Sequence, residues 1–244
     1  MSVNSVELGF VAAMEREVSG LVRDWTKVRI EEVPRRIYSN ERAALICAGT
    51  GTARAYAASK ILIERFSPKI LISIGFAGSC VPGLLPGEIV VPATALEAAT
   101  GRTYRCTLGL GQVVTLDGIA DKALKQHSFA RFDALAVDME ATGVAAAAAE
   151  CGREFAAIKV ISDSAEEDLG FLSGFVTAEG FETGRFIAHI ALRPKLWPRV
   201  AALQRNSKLA AAALQVAVGE CMNDWQGFSR KYSSPAASLK KESC

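Results

Sequence analysis

Apolar runs of strand length alternate along the first two-thirds of the chain with stretches whose apolar residues recur at helical spacing. Val6 to Ala12 leads into a helical pattern from about Glu15 to Trp25, and Arg42 to Ala48 leads into another from Ala53 to Phe66. Lys69 to Gly75 and Glu88 to Pro92 read as strands. After a short polar stretch come a strand at Gln112 to Leu116, a helix near Ile119 to His127, a strand at Ala134 to Met139, a helix from Glu140 to Cys151 and a strand at Glu154 to Ile161. Strand then helix, repeated, predicts an α/β fold: a single domain with a central, mostly parallel (mixed) β-sheet flanked by helices. Ile70-Leu71-Ile72-Ser73-Ile74 and Ala156 to Ile161 are apolar at alternate positions of both parities, as expected of strands covered on each face. From Glu179 onward the pattern is helical: Glu179 to Leu192, Pro194 to Arg205 with its proline at a helix start, and Ser207 to Met222 behind a serine cap. Residues 1–226 therefore read as one domain whose C-terminal part, from about 179, is helical. Residues 227–244, rich in Ser, Lys and Ala, read as a flexible tail.

Half of the 244 residues are hydrophobic, ample for a closed core. Met1 to Ser5 carry no basic stretch, and Glu7 and Glu15-Arg16-Glu17 interrupt the apolar run that follows. Neither a signal peptide nor a membrane span is predicted, and a cytoplasmic location is expected. The six cysteines form no CxxC pair and have no nearby histidine, so reduced thiols are expected rather than a metal site or disulfides. The net charge of +2 hides a split, with −4 over residues 1–192 and +6 over 193–244. The basic excess is interleaved with Trp197, Trp225, Phe228 and Tyr232. A solvated helical face is its plainer explanation, and peripheral contact with an anionic membrane is the functional one. No nucleic-acid partner is expected.

Candidate chemistry gathers where apolar strands stop at acids, because a carboxylate at the mouth of a low-dielectric sheet can exchange protons with a substrate. Two such ends are Val137-Asp138-Met139-Glu140 and Val160-Ile161-Ser162-Asp163-Ser164-Ala165-Glu166-Glu167-Asp168. A third is Glu15-Arg16-Glu17, where helix-dipole capping alone also accounts for acids. Residues two apart leave a helix on opposite sides, so at most one of Glu15 and Glu17 faces a given pocket. Glu17, Glu140 and Asp163 are thus expected along one edge of a parallel sheet, where such folds bind ligands. Gly75-Phe76-Ala77-Gly78 reads as a turn after a buried strand, either ordinary or one that lets a ligand approach backbone N–H groups. Gly49-Thr50-Gly51-Thr52-Ala53 fails as a dinucleotide fingerprint: Arg54 stands at the third small position and no acid follows some twenty residues later, so a nicotinamide-linked oxidoreductase is disfavoured. His127 and His189 fall in helical stretches with no GxSxG elbow, against serine-hydrolase chemistry.

Ala13-Met14-Glu15-Arg16-Glu17-Val18, Gly75-Phe76-Ala77-Gly78, Val137-Asp138-Met139-Glu140-Ala141 and Ile161-Ser162-Asp163, in this order across roughly residues 6–168, resemble the nucleoside phosphorylase and nucleosidase family. That family includes 5′-methylthioadenosine/S-adenosylhomocysteine nucleosidase. The stretch between Pro92 and Gln112 is short for the family, and the helices after Arg193, with Arg193-Pro194-Lys195-Leu196-Trp197, are similar to its hopanoid-associated phosphorylase branch. The resemblance implies cleavage of the N-glycosidic bond of a 5′-substituted adenosine, with an adenosylhopane-like substrate for that branch. Alternatives are a 5′-methylthioadenosine/S-adenosylhomocysteine nucleosidase and a non-catalytic nucleoside-binding protein on the same fold. It implies that Glu140 binds the ribose hydroxyls with Met139 beside the sugar, and that Asp163, oriented by Ser162, assists departure of the base at N7. Glu17 would orient or deprotonate the attacking water, and Phe76, Ala77, Gly78, Ile119 and Ala120 would line the substrate site. No cofactor is implied, and a homodimer is.

At its ordinary pKa an aspartate is protonated only about one part in a thousand at pH 7, and raising it to neutrality costs about 4 kcal/mol. Burial beside Val160-Ile161 and neighbouring acids is expected to supply that shift. Phosphorylases of the family surround phosphate with arginine and a hydroxyl residue, where this chain has Glu17, Ser73 and Phe76. A carboxylate there repels phosphate, which favours water as nucleophile, while Arg16 and Arg54 keep phosphate as the alternative co-substrate. Phe171, Leu172, Phe175, Phe181 and Phe186 read as core, or in part as the lining of an apolar 5′ pocket.

Overall fold

The computed structural model describes residues 5–31, 33–177 and 180–233. In chain order, β1 (Leu8–Ala12) leads into a single-turn α1 (Glu15–Val18), and a hairpin of β2 (Thr26–Ile30) and β3 (Val33–Ser39) precedes β4 (Ala43–Cys47) and α2 (Thr52–Phe66). The long β5 (Ile70–Ser79) is followed by β6 (Ile89–Val90), β7 (Thr94–Glu97), β8 (Thr103–Arg105) and β9 (Gln112–Thr115). Then come α3 (Lys122–Phe132), β10 (Ala134–Asp138), α4 (Ala141–Glu150) and β11 (Glu154–Asp163). A 3-10 turn (Gly170–Phe175) and the small pair β12 (Val176–Thr177) and β13 (Gly180–Phe181) precede α5 (Thr183–Ala191), α6 (Trp197–Asn223) and α7 (Trp225–Ser233).

β1 to β11 form one mixed sheet, so the fold class expected from the alternating pattern holds. β5 is its trunk. β11 runs parallel to it from Ile70 to Gly78, while β1 occupies the other edge over Ile70 to Ile74 and β10 the far end of that edge, at Gly78 and Ser79. Both faces of the sheet are covered, which is why β5 and β11 are apolar on both sides. On one face α2 and α4 pack Ala55, Ala58, Leu62, Ala141 and Val144 against Val11, Ile46 and Leu71. On the other, α6 buries Ala210, Leu214, Ala217 and Val218 against Phe10, Ile72 and Ile158.

Several expected boundaries move. The helix expected over Glu15 to Trp25 is one turn followed by irregular chain, and the β2–β3 hairpin had no strong apolar alternation to announce it. The polar stretch before Gln112 contains β7 and β8 at the end of the sheet, where half-exposed strands need no apolar run. The helix expected from Ile119 begins at Lys122, because Asp121 caps it by accepting the Leu124 N–H at 2.7 Å. The helix expected from Glu179 begins at Thr183. The two helices expected from Pro194 and Ser207 are a 3-10 turn and then one continuous α6. Part of the expected tail is ordered as α7, whose Phe228 is buried; residues 234–244 lie outside the described residues.

Candidate active site

The carboxyl ends of β1 and β10 point at each other along one edge of β5. β1 stops opposite Ile74 and β10 is antiparallel to β5, so Gly75, Phe76 and Ala77 lie between them with no strand partner on that edge. The expected arrangement of three acids along one edge of a parallel sheet is corrected accordingly: Glu140 arrives from the opposite direction to Glu17. Gly75-Phe76-Ala77-Gly78 is likewise no turn but the last part of β5. A gap where strand ends meet is where α/β sheets expose backbone groups to a ligand. Here it opens into a cavity of 680 Å³.

Ten residues expected at the site line the cavity: Glu17, Phe76, Ala77, Gly78, Ile119 and Ala120, and also Met139, Glu140, Ser162 and Asp163. Of the pair Glu15 and Glu17, only Glu17 enters it. Glu15 turns outward to the Tyr38 hydroxyl and the Arg36 guanidinium. Glu17 lies on α1, where its Oε2 accepts the Met14 N–H at 3.3 Å. The missing side chain of Gly75 leaves that oxygen its place, since a Cβ there would stand 3.0 Å from it. Burial pushes the Glu17 carboxyl up to about 7 against the weaker pull of Met14, Arg16 and Lys159.

Glu140 is the N-cap of α4. Its Oε1 accepts the Gly51 N–H at 2.9 Å and its Oε2 the Met139 N–H at 3.3 Å, so the glycine turn after β4 serves to hold a site carboxylate. Burial first, and then the neighbouring Asp138 carboxylate, raise the Glu140 pKa above the ordinary range. Asp163 ends β11, where the pairing with β5 slips between Ile161 and Asp163. A slip of this kind re-aims side chains, here leaving Asp163 opposite Gly78. Ser162 donates its hydroxyl to Asp163 Oδ1 at 2.7 Å.

Two lysines that the sequence pattern did not single out are paired with carboxylates of the site. Lys159, fully buried in β11, pairs with Asp138 Oδ2 at 2.7 Å and donates to Ser73 Oγ at 2.9 Å. Asp138 in turn accepts the Thr115 hydroxyl and the Ala141 N–H, tying the start of α4 to the sheet. A lysine inside the run Ala156 to Ile161 was the available signal, since such a residue is fully buried only when paired. Lys125, on α3, is paired with Asp163 Oδ2. The acids expected to crowd Asp163 are replaced by this lysine: Glu166 pairs outward with Lys122, and Glu167 is held by the Ser164 N–H and Asn206.

Of the aromatic cluster, Leu172 and Phe186 line the cavity, whereas Phe175 is buried edge-on to Phe186 and His189. Phe171 lies 4.7 Å below the Arg199 guanidinium, and the Phe181 side chain lies outside the described residues. α6 contributes a wall that the sequence pattern did not reveal, through Val200, Leu203, Gln204, Ser207, Lys208 and Ala211. Arg16 borders the cavity. Arg54 does not; it lies in a separate cleft with Glu15, Arg35 and Arg36.

The architecture is that of the nucleoside phosphorylase-like fold. The chain is similar to a 5′-methylthioadenosine nucleosidase from Arabidopsis thaliana in apo form, with a TM-score of 0.70 at 17% identity over 92% of this chain and 97% of that one. It is also similar to a 5′-methylthioadenosine/S-adenosylhomocysteine nucleosidase from Colwellia psychrerythraea in complex with adenine, with a TM-score of 0.68 at 18% identity over 91% and 97%. A third likeness is to the corresponding nucleosidase from Neisseria meningitidis in complex with methylthio-immucillin-A, with a TM-score of 0.66 at 17% identity over 86% and 95%. At these identities the likeness establishes a shared fold. The sequence model of the Phosphorylase superfamily matches residues 7–126 and 95–183, and the chain belongs to that superfamily.

Proposed function

We propose that this protein cleaves the N-glycosidic bond of a 5′-substituted adenosine, releases adenine, and takes a substrate whose 5′ group is large and apolar, as in an adenosylhopane-like nucleoside of hopanoid biosynthesis. The observation that carries the reading is a single cavity with three buried carboxylates at its base and an apolar continuation along Leu169, Leu172, Phe186, Val200, Leu203 and Ala211. Cleavage builds positive charge on the sugar, which an ionised Glu140 beside the ribose hydroxyls stabilises. It leaves negative charge on the purine, which a proton delivered through Asp163 quenches. Glu17, with a pKa near 7, suits the task of orienting and deprotonating water at neutral pH.

Water is favoured over phosphate because the family resemblance puts the Glu17 carboxylate where phosphorylases hold phosphate, which it would repel, and because Ser73 is fully buried and accepts a hydrogen bond from Lys159. Arg54 stands in another cleft, and among the arginines only Arg16 remains as a phosphate partner at the cavity. A 5′-methylthioadenosine/S-adenosylhomocysteine nucleosidase activity is the second reading, favoured by the shared fold.

The test is to incubate the protein with 5′-methylthioadenosine and with a long 5′-alkylthio analogue, each with and without phosphate. The proposal expects adenine and a free pentose derivative in all cases, with kcat/KM at least about tenfold higher for the long analogue, since each buried methylene contributes about 1–3 kcal/mol of discrimination. A pentose 1-phosphate overturns hydrolysis, preference for the methylthio compound overturns the apolar substrate, and no adenine at all leaves a nucleoside-binding protein.

Leu192 and Trp197, exposed where α5 passes into α6 and flanked by Arg193, Lys195 and Arg199, support peripheral contact with an anionic bilayer. Failure to sediment with anionic vesicles rejects it. No helix among the described residues is long and apolar enough to cross a membrane. Assembly as a homodimer rests on the family resemblance, and sedimentation equilibrium tests it.

A further inference from the structure

We infer that Lys125 supplies, through Asp163, the proton that the departing purine takes up. The inference rests on the reading of the cavity as a nucleoside-cleaving site and adds a residue to it. Lys125 is 1% exposed, yet it projects from α3 into the cavity, and its ammonium has three partners: Asp163 Oδ2, the Ser164 carbonyl at 2.9 Å and the Glu167 carbonyl at 2.9 Å. The loop after β11 thus wraps the ammonium with its own backbone. β5 gives the pair room: a Cβ at Gly78 would stand 2.8 Å from Asp163 Oδ2 and 3.1 Å from Lys125 Cε. Three elements therefore converge on one lysine–aspartate contact, although a lone ion pair in a core is often no more stabilising than apolar packing.

In this arrangement both Asp163 oxygens accept hydrogen bonds, Oδ1 from Ser162 and Oδ2 from Lys125. Of these two donors only the ammonium is an acid that can give its proton away, a serine hydroxyl being far too weak. A lysine is a full reservoir at neutral pH, whereas an aspartate at its ordinary pKa carries a proton about one part in a thousand of the time. As the C1′–N9 bond breaks, its electron pair moves onto the purine. One proton then passes from Lys125 Nζ to Asp163 and from Asp163 to N7, leaving the neutral amine. On the sugar, water adds its hydroxyl to C1′ and gives its proton to Glu17. Lys125 then regains a proton from solvent and Glu17 releases one, so each turnover consumes one water and no net proton.

Among the described residues, titratable groups near the pair include Cys80 just after β5, Glu167 on the wrapping loop and Asp121 at the cap of α3. Burial pushes the Cys80 thiol up to about 12, so it stays neutral and offers no competing charge.

The experiment measures kcat/KM for adenine release against pH between 6 and 9 for the wild type, K125M and K125R, with folding of each checked by near-ultraviolet circular dichroism. In K125M the proton must come from Asp163 itself. The ratio of K125M to wild type is therefore expected to fall by up to about tenfold per pH unit across the alkaline side. K125R keeps a cation on Asp163 that does not give up its proton, and is expected to lose activity at pH 8 by about 10²-fold or more. A ratio that stays constant with pH, or K125R within threefold of wild type, would show that Lys125 only holds Asp163 in place and overturns the inference. If K125M does not fold, the K125R arm decides. If the wild type releases no adenine, the functional reading itself fails and takes the inference with it.

Discussion

At the scale of single residues, Asp163 joins chemistry to stability, because its carboxylate is both the group proposed to hand a proton to the leaving base and the counterion of a buried lysine. Asp163→Asn is expected to lower kcat by about 10²–10⁴. It is also expected to destabilise the fold by about 1–3 kcal/mol, because the Lys125 ammonium keeps only its two carbonyls and a neutral amide. Urea unfolding alongside turnover separates the two effects, and near-wild-type turnover removes Asp163 from the mechanism. Lys159, paired with Asp138 and outside the cavity lining, is its counterpart in the sheet. Lys159→Met leaves Asp138 buried without its cation and is expected to cost about 3–5 kcal/mol, while adding Asp138→Asn recovers part of that loss; a double variant no more stable than the single one argues against the pair. Acids at strand ends could be read from the sequence because charge interrupts an apolar pattern there. Lys125 could not, since a lysine on a short, largely polar helix looks like any solvated one until its neighbours are known.

At the scale of elements, the buried strands were legible and the edges were not. β5 and β11 declare themselves by continuous apolar runs, whereas β2, β3, β7 and β8 lie at the margins of the sheet, where one polar face is enough. α6 is the more instructive miss. Asn206-Ser207 looks like a helix start, but Asn206 reaches Glu167 and Ser207 borders the cavity, so these polar residues face the site and the helix runs on. A continuous α6 gives the cavity a rigid apolar wall. Ala211→Phe, which fills part of that wall, is expected to lower kcat/KM for a long 5′-alkylthio adenosine by about 10–100-fold and for 5′-methylthioadenosine by under about threefold. Equal losses on both substrates would place the 5′ group elsewhere.

At the scale of the whole molecule, the site is charged against the interests of the fold. Glu17 and Glu140 are buried, and burial is the main reason each holds its proton more tightly than in an unfolded chain, Glu17 up to about 7 from 4.5. Between those values the folded protein binds a proton that the unfolded chain has released. Stability conferred by that difference is fully present below about pH 4.5 and is lost as pH rises through about 7. For Glu17 alone the loss amounts to about 3 kcal/mol, a large part of a typical folding free energy of about 5–15 kcal/mol. Glu17→Gln cannot ionise, so it is expected to match the wild type near pH 4.5 and to exceed it by about 2–3 kcal/mol at pH 8. Urea unfolding at the two pH values reads this directly, and an unchanged difference between wild type and variant at both would mean that Glu17 is not the group titrating. The same titration acts on catalysis with the opposite sign, since Glu17 accepts the proton of water only once it has lost its own. The wild-type rate should therefore climb through the pH range in which its stability declines. A buried, only partly compensated carboxylate is tolerated on those terms because the variant that removes the burden, Glu17→Gln, is the one expected to be inactive.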